Sequence, residues 1–207
     1  MTGPHDLTEL QLDALRELGN VGSGHAATSL STMLGVPVKM EVPAVGLSDV
    51  SQIGDLLGGR EAMVRAVYLL VSGELEGHMA LIMREAEALR LLAALMPERL
   101  SNQKSDELAE SALAEIGNIL TSAYVGALTR WTGLDLRPSP PLTAHDQAGA
   151  ILDSLTAELQ LAGRTVLTLE GRLEVPSVPG CGILLLFLPP PASLPRMLGA
   201  LGLDALQ

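Results

Sequence analysis

Residues 13–20 read Asp-Ala-Leu-Arg-Glu-Leu-Gly-Asn, and residues 111–118 read Ser-Ala-Leu-Ala-Glu-Ile-Gly-Asn. The second stretch begins 98 residues after the first, and a leucine, a glycine and a proline further along repeat at the same offset. These repeated positions are Leu30 and Leu128, Gly35 and Gly133, and Pro43 and Pro141. The chain is therefore predicted to be a tandem duplication, with halves of about residues 1–100 and 101–207 that form a single domain.

Length, composition and charge limit the classes of function. The chain has 207 residues, of which 47% are hydrophobic, so it can bury a sizeable core. Its formal net charge is −11, and it has no run of Lys or Arg, which argues against nucleic acid or anionic membranes as partners. No basic segment leads into an apolar one near the N-terminus, and the single Cys181 excludes an internal disulfide. We expect a cytoplasmic protein that binds another protein.

The first repeated stretch is predicted to lie in a long helix. Thr8 followed by Gln11 is a capping-box pattern, which predicts a helix over residues 9–34. Apolar residues at three- and four-residue steps predict an inward face. That face comprises Leu7, Leu10, Ala14, Leu18 and Val21. Asp13, Glu17 and Asn20 lie at i, i+4 and i+7, so they are predicted to share the outward face.

The rest of the first half reads as an extended segment, a hairpin and a shorter helix. Residues 36–45 are predicted to be extended, with Pro43 suited to an edge or a turn, and residues 46–60 to be a loop or short helix. Residues 62–71 and 77–83 are predicted to form an antiparallel hairpin, followed by a helix over 85–96 and a linker over 97–105.

The second half is predicted to repeat this order. The predicted elements are a helix over 106–132, an extended segment over 134–141, a loop over 142–149, strands over 150–161, 165–174 and 182–188, and a helix over 192–203. Its long helix is predicted to bury Leu108, Ala112, Ile116 and Ile119 and to expose Ser111, Glu115, Asn118 and Ser122. The fold class is therefore α+β, an antiparallel sheet covered by long helices with an approximate two-fold axis.

The outward Glu and Asn side chains are the candidate functional residues. A single Glu-x-x-Asn on a helix is usually just a solvated face. Here the chain has the pattern twice, as Glu17 with Asn20 and as Glu115 with Asn118. Because asparagine is a mediocre helix former, its presence in both copies at the same spacing points to a function.

Other candidate sites have weaker support. Gly19, Gly22 and Gly24 lack the Lys-Ser/Thr of a phosphate-binding loop, and the second copy keeps only Gly117. The four histidines have no metal-ligand spacing, so no metal site is predicted. His25 is expected at the inner edge of its helix, Tyr124 and Trp131 in packing roles, and Cys181 as a buried structural thiol.

The repeated residues resemble the signature of the CheC family of chemotaxis phosphatases, Asp/Ser-x3-Glu-x2-Asn-x22-Pro. The first copy supplies Asp13, Glu17, Asn20 and Pro43, and the second supplies Ser111, Glu115, Asn118 and Pro141. The resemblance spans nearly the whole chain, because the family is itself built as such a duplication. It implies a CheC-like fold and an enzyme that removes the phosphoryl group from the aspartate of CheY, the response regulator that controls the flagellar motor.

The resemblance also implies a role for each motif residue. Asn20 and Asn118 would orient the attacking water, and Glu17 and Glu115 would pair with the regulator's active-site lysine. The supporting positions would tune or shape the surroundings. Asp13 and Ser111 would lie at the edge of the contact, and Pro43 and Pro141 would shape the chain that supports each helix. No cofactor of the chain's own is expected, since Mg²⁺ would be bound by the regulator.

Partners and alternatives follow from the same resemblance. The expected partners are a phosphorylated CheY-type regulator and a CheD-type receptor deamidase, which the chain would also regulate by binding. One alternative is a non-enzymatic flagellar switch component similar to FliY or to the middle domain of FliM, and CheX would be expected to show one motif rather than two. The second site is predicted to bind less closely, since Leu120 and Ser122 replace Gly22 and Gly24.

Overall fold

The computed structural model describes residues 7–95, 105–159, 165–176, 178–190 and 193–203, and it has the predicted α+β class. The helices in these ranges are α1 (Glu9–Leu34), α2 (Val50–Leu56), α3 (Glu85–Leu95), α4 (Ser105–Thr132), α5 (Ala148–Leu159) and α6 (Ser193–Ala200). The strands are β1 (Lys39–Asp49), β2 (Met63–Gly73), β3 (Gly77–Arg84), β4 (Leu136–Pro138), β5 (Leu142–Gln147), β6 (Thr165–Val175) and β7 (Val178–Leu188).

The strands of both halves form one antiparallel sheet in the described part of the chain. Its order is β1-β6-β7-β3-β2-β4, and β5 also pairs with β2. The two halves correspond when β1 is matched with β4 and β5, β2 with β6, and β3 with β7. With this matching, the strand order is the same when read from either edge of the sheet. An approximate two-fold axis therefore passes between β3 and β7, as the duplication predicts. Each half places its outer strand beside the other half's hairpin, because β1 pairs with β6 and β5 with β2.

Helices cover both faces of the sheet. α1, α3, α4 and α6 pack on one face, and this larger core contains Leu15, Leu120 and Leu185. α2 and α5 pack on the opposite face, where the smaller core contains Ile53 and Leu186. Adjacent residues of β7 therefore enter different cores, which explains why this strand reads as a continuous apolar run.

The ends of α1 form as the sequence predicts. The backbone N–H of Thr8 donates to Gln11 Oε1 at 2.9 Å, and the backbone N–H of Gln11 donates to Thr8 Oγ1 at 3.3 Å. Gly35 ends the helix at φ 66°, a conformation that glycine adopts without strain. The predicted inward face is wrong at Leu10, whose side chain is 66% exposed. Leu10 lies seven residues before Glu17, so it shares the outward face of that residue.

α1 and α4 pack against each other through a buried tyrosine. The Tyr124 hydroxyl is hydrogen-bonded to Ser23 Oγ at 2.7 Å. Burial raises the pKa of Tyr124 to about 12, although the Ser23 hydrogen bond lowers it, so the phenol stays neutral. The packing role predicted for Tyr124 is confirmed, whereas the one for Trp131 is wrong, since that side chain is 40% exposed.

The predicted hairpin, α3, α4 and the last two strands lie where the sequence predicts them, but other segments differ. The short helix allowed for residues 46–60 is confirmed as α2, but β1 extends beyond the predicted extended segment to Asp49 and leads directly into α2. In the second half, the predicted loop over 142–149 is largely β5, and the predicted strand over 150–161 is α5 as far as it is described. Most of the predicted linker over 97–105 lies outside the described residues, and α4 begins at Ser105.

Candidate functional site

The first motif forms an outward stripe along α1. Asp13, Glu17 and Asn20 are all exposed, as predicted from their spacing. Gly24 continues the stripe one turn further, and a Cβ atom built on it would have no neighbour within 4 Å. Backbone is therefore open to another molecule at the end of the stripe nearest Asn20.

The second motif forms the corresponding stripe along α4. Ser111, Glu115 and Ser122 are exposed, and Asn118 is half-buried. Among the described residues, the side chains of Glu17, Asn20, Glu115 and Asn118 have no hydrogen bond or ion pair. Their carboxylate and amide groups are thus available to groups outside the chain. The structure places each Glu beside its Asn on one helix face.

A glycine before each Asn brings both helices close to the sheet. A Cβ atom on Gly19 would lie 3.2 Å from Leu169 Cδ2 of β6, and one on Gly117 would lie 2.6 Å from Val67 of β2. β6 and β2 are equivalent under the two-fold axis, so the same contact is made twice. This role of the two glycines is not among the predictions from sequence, although both lie in the repeated stretch.

The sequence predicts that Leu120 and Ser122 make the second site bulkier than the first, but this is wrong for Leu120. Gly22 is buried, and a Cβ atom there would lie 2.6 Å from Cδ1 of Tyr124. Its counterpart Leu120 is also fully buried. The change from Gly22 to Leu120 therefore alters packing between the helices and adds nothing to the second stripe. At Gly24 and Ser122 the difference does lie on the exposed faces.

An ion pair distinguishes the two stripes. Arg16 Nη1 lies 2.6 Å from Asp13 Oδ1, and both side chains are substantially exposed. The corresponding residues of α4 are Ala114 and Ser111, which cannot form this pair. The first stripe therefore has a guanidinium group near Glu17 that the second lacks. Arg16 is not among the residues predicted from sequence, although it stands at a position where the two copies differ.

The two motif prolines lie near the outer strands of the sheet. Pro43 is exposed in the edge strand β1, where the pairing register with β6 shifts between Glu41 and Ala44. This confirms the predicted edge position. Val42, the preceding residue, lies 3.4 Å from a Cβ atom built on Gly19. Pro141 is half-buried and directly precedes β5. Their supporting role stays a prediction.

The other candidate residues do not form a site. Cys181 is buried, and its pKa is raised to about 11 by burial and by Glu87, so the predicted structural thiol is confirmed. His25 is exposed, and its predicted position at the inner edge of α1 is wrong. Within the ranges given above, no group of three His, Cys, Asp or Glu side chains is placed to hold a metal ion.

None of the helices described is long and apolar enough to cross a membrane.

A cavity of about 330 Å³ is not lined by either Glu-x-x-Asn pair. It is lined by residues of β2, β3, β5 and α5, including Tyr68, Thr143 and Ile151. Neither Asn20 nor Asn118 lines this cavity. The Glu and Asn side chains of the motifs instead lie on outward helix faces, a geometry that fits a reactive group carried on another macromolecule better than a small enclosed substrate.

Comparison with known proteins agrees with the repeat. Residues 10–47 and 108–143 match the model of the CheC-like family. The chain is 33% identical over 167 residues to the CheY-P phosphatase CheC of Bacillus subtilis, covering 79% of this chain and 80% of that protein. Among solved structures it is similar to FliY of Thermotoga maritima, with a TM-score of 0.75, 20% identity and coverage of 95% of this chain and 98% of that one. It is also similar to the FliM middle domain of H. pylori, with a TM-score of 0.61, 11% identity and coverage of 94% and 99%. The chain therefore belongs to the CheC-like family.

Proposed function

We propose that this chain is a phosphatase that hydrolyses the aspartyl phosphate of a CheY-type response regulator. The observation that carries the proposal is the Glu-x-x-Asn pair on the outer face of α1 and again of α4, whose side chains have no partner among the described residues. The similarity to a protein named CheY-P phosphatase supports it. Such an enzyme would act in the cytoplasm, where response regulators work.

Asn20 and Asn118 would orient the water that attacks phosphorus. The amide oxygen accepts a hydrogen bond from the water and the amide N–H₂ donates one, so the side chain fixes the water without acting as a base. The new bond forms between water oxygen and phosphorus, and the bond from phosphorus to the regulator's aspartate oxygen breaks. The products are inorganic phosphate, which takes up the water's hydrogens, and the free aspartate. Positioning of this kind supplies much of catalysis in phosphoryl transfer.

Glu17 and Glu115 would hold the regulator in register. A carboxylate next to a phosphoryl dianion is repulsive unless a cation lies between them. The family resemblance supplies that cation as the regulator's active-site lysine. Because Glu lies three residues before Asn on the same face, pairing with the lysine would bring the amide over the phosphorylated aspartate. The regulator would provide Mg²⁺ and the lysine, and this chain would provide the Glu and Asn side chains.

The flagellar switch alternative predicts binding without hydrolysis. Similarity to FliM and FliY at 11% and 20% identity concerns the fold alone, so it does not favour a scaffold over an enzyme. Binding of a CheD-type deamidase stays a prediction from the family resemblance. A scaffold or a CheD-binding regulator gives no reason for an Asn beside the Glu in both copies.

We expect a small amount of the chain to accelerate the decay of an excess of phosphorylated CheY-type regulator in the presence of Mg²⁺. The measurement is the release of inorganic phosphate, with the regulator alone and the regulator plus an unrelated acidic protein as controls. Several turnovers per chain are expected, because the enzyme is regenerated in each cycle. Binding of the regulator with an unchanged decay rate would contradict the phosphatase and favour the scaffold.

A further inference from the structure

We infer that Arg16 is an additional catalytic residue of the first site, where its guanidinium contacts the phosphoryl oxygens and makes the two sites unequal. This inference rests on the proposed function, since it adds a contact to the same bound substrate. It concerns the position at which the two otherwise similar stripes differ most in chemistry, an arginine in α1 and Ala114 in α4.

The geometry allows the contact. Arg16 lies four residues before Asn20, so their Cβ atoms are about 5–6 Å apart on neighbouring turns of the same helix surface. The arginine side chain is 45% exposed, and its ion-pair partner among the described residues is Asp13, at 2.6 Å on the preceding turn. The long arginine side chain can rotate from Asp13 towards the phosphoryl group beside Asn20, because both positions lie within its reach.

The charges favour the exchange of partners. Ion pairs between exposed side chains are weak. The free energy lost when Arg16 separates from Asp13 is therefore offset when Arg16 binds a more highly charged partner. A phosphoryl group carries more negative charge than a carboxylate and offers several oxygens to the planar guanidinium fork. Asp13 would keep the guanidinium close to Glu17 and Asn20 until the regulator docks.

The second copy lacks both members of the pair. Ser111 replaces Asp13 and Ala114 replaces Arg16, so the two changes leave the net charge of the stripe unaltered. The sites therefore differ in hydrogen-bond donors while keeping the same overall charge. In phosphoryl transfer, negative charge spreads over the equatorial oxygens of the transition state, and an arginine placed there increases kcat. The guanidinium makes no covalent bond, so the hydrolysis step is otherwise unchanged.

Single-site variants test this inference. Asn118→Ala leaves only the first site and Asn20→Ala leaves only the second, so Arg16→Ala is added to each. We expect Arg16→Ala to lower the kcat of the Asn118→Ala chain about tenfold, because one charge-assisted hydrogen bond is lost. The same change should leave the kcat of the Asn20→Ala chain unaltered, because that chain uses only the second site. Arg16→Lys should retain more activity than Arg16→Ala, because it keeps the positive charge.

Four results would overturn the inference: equal losses in the two single-site chains, no loss in the Asn118→Ala chain, equal losses for Arg16→Lys and Arg16→Ala, or an Asn118→Ala chain without activity. A purely structural role for Arg16 would lower the free energy of unfolding and reduce both sites together. Failure of the proposed function would appear separately, as an intact chain that does not accelerate phosphate release.

Discussion

Changing both Glu17 and Glu115 to Lys is expected to lower kcat/KM for the phosphorylated regulator at least about 100-fold. Each new ammonium group would face the regulator's active-site lysine, and like charges in a contact oppose binding by several kcal/mol. About 2.7 kcal/mol already corresponds to a factor of 100. The loss should appear mainly as a higher KM, measured from initial rates of phosphate release.

A matched pair of substitutions separates this effect from a change in net charge. Glu61 and Glu110 are also exposed, and changing both to Lys alters the charge of the chain by the same amount. Glu110 lies five residues before Glu115, about 140° around α4, and Glu61 follows α2 on the opposite face of the sheet. We expect this control to keep nearly full activity at physiological salt. Equal losses in the two double variants would contradict a specific role for Glu17 and Glu115.

Gly117→Ala is expected to lower the free energy of unfolding by about 1–3 kcal/mol, the usual effect of overpacking a core. The added methyl group would lie 2.6 Å from Val67, whose branched side chain is fixed close to the backbone of β2. Either α4 or β2 must move. Because Asn118 is the next residue, the second site should also lose activity. Urea unfolding and phosphate release by the Asn20→Ala chain measure the two effects.

Gly126 provides the control on the same helix. A Cβ atom there would have no neighbour within 4 Å, so Gly126→Ala should stabilise the chain by up to about 1 kcal/mol through helix propensity. If the Gly117→Ala chain proved as stable as the Gly126→Ala chain, the close approach of α4 to the sheet would not be a constraint on this fold.

Local features of the sequence account for the elements that were predicted correctly. α1 begins at a capping box and ends at Gly35, and both features act within a few residues. α4 was found because it repeats the same stretch. The hairpin of β2 and β3 was found because its two apolar runs are separated by a short polar turn. None of these predictions required knowledge of distant contacts.

Tertiary contacts explain most of what it missed. β5 is an edge strand whose side chains are exposed, so it has no apolar alternation and was predicted as a loop. α5 was predicted as a strand although Ala148, Ile151, Leu152 and Leu155 follow the spacing of one helix face. Gly22 and Leu120 are predicted to lie on the exposed stripes, whereas both are buried, Gly22 against Tyr124 of α4 and Leu120 in the larger core.

The candidate site was accessible from sequence because it was duplicated. One Glu-x-x-Asn pair is not distinguishable from a solvated helix face, whereas two at a fixed offset are. Comparing the two copies also identifies three further residues that were not predicted to have a role. Gly19 and Gly117 are identical in both copies and fix the helices to the sheet, and Arg16 differs between the copies and marks the first stripe.

The decay of phosphorylated regulator with the Asn20→Ala/Asn118→Ala double variant is the most direct measurement of the proposed mechanism. Asn20 is exposed and Asn118 is half-buried, and neither amide has a hydrogen bond to any described residue, so the variant should fold and bind the regulator normally. Its acceleration of the decay should be at least about 100-fold lower than that of the intact chain, since nothing would orient the water. Undiminished acceleration by the double variant, at normal stability, would contradict the assignment of the two amides.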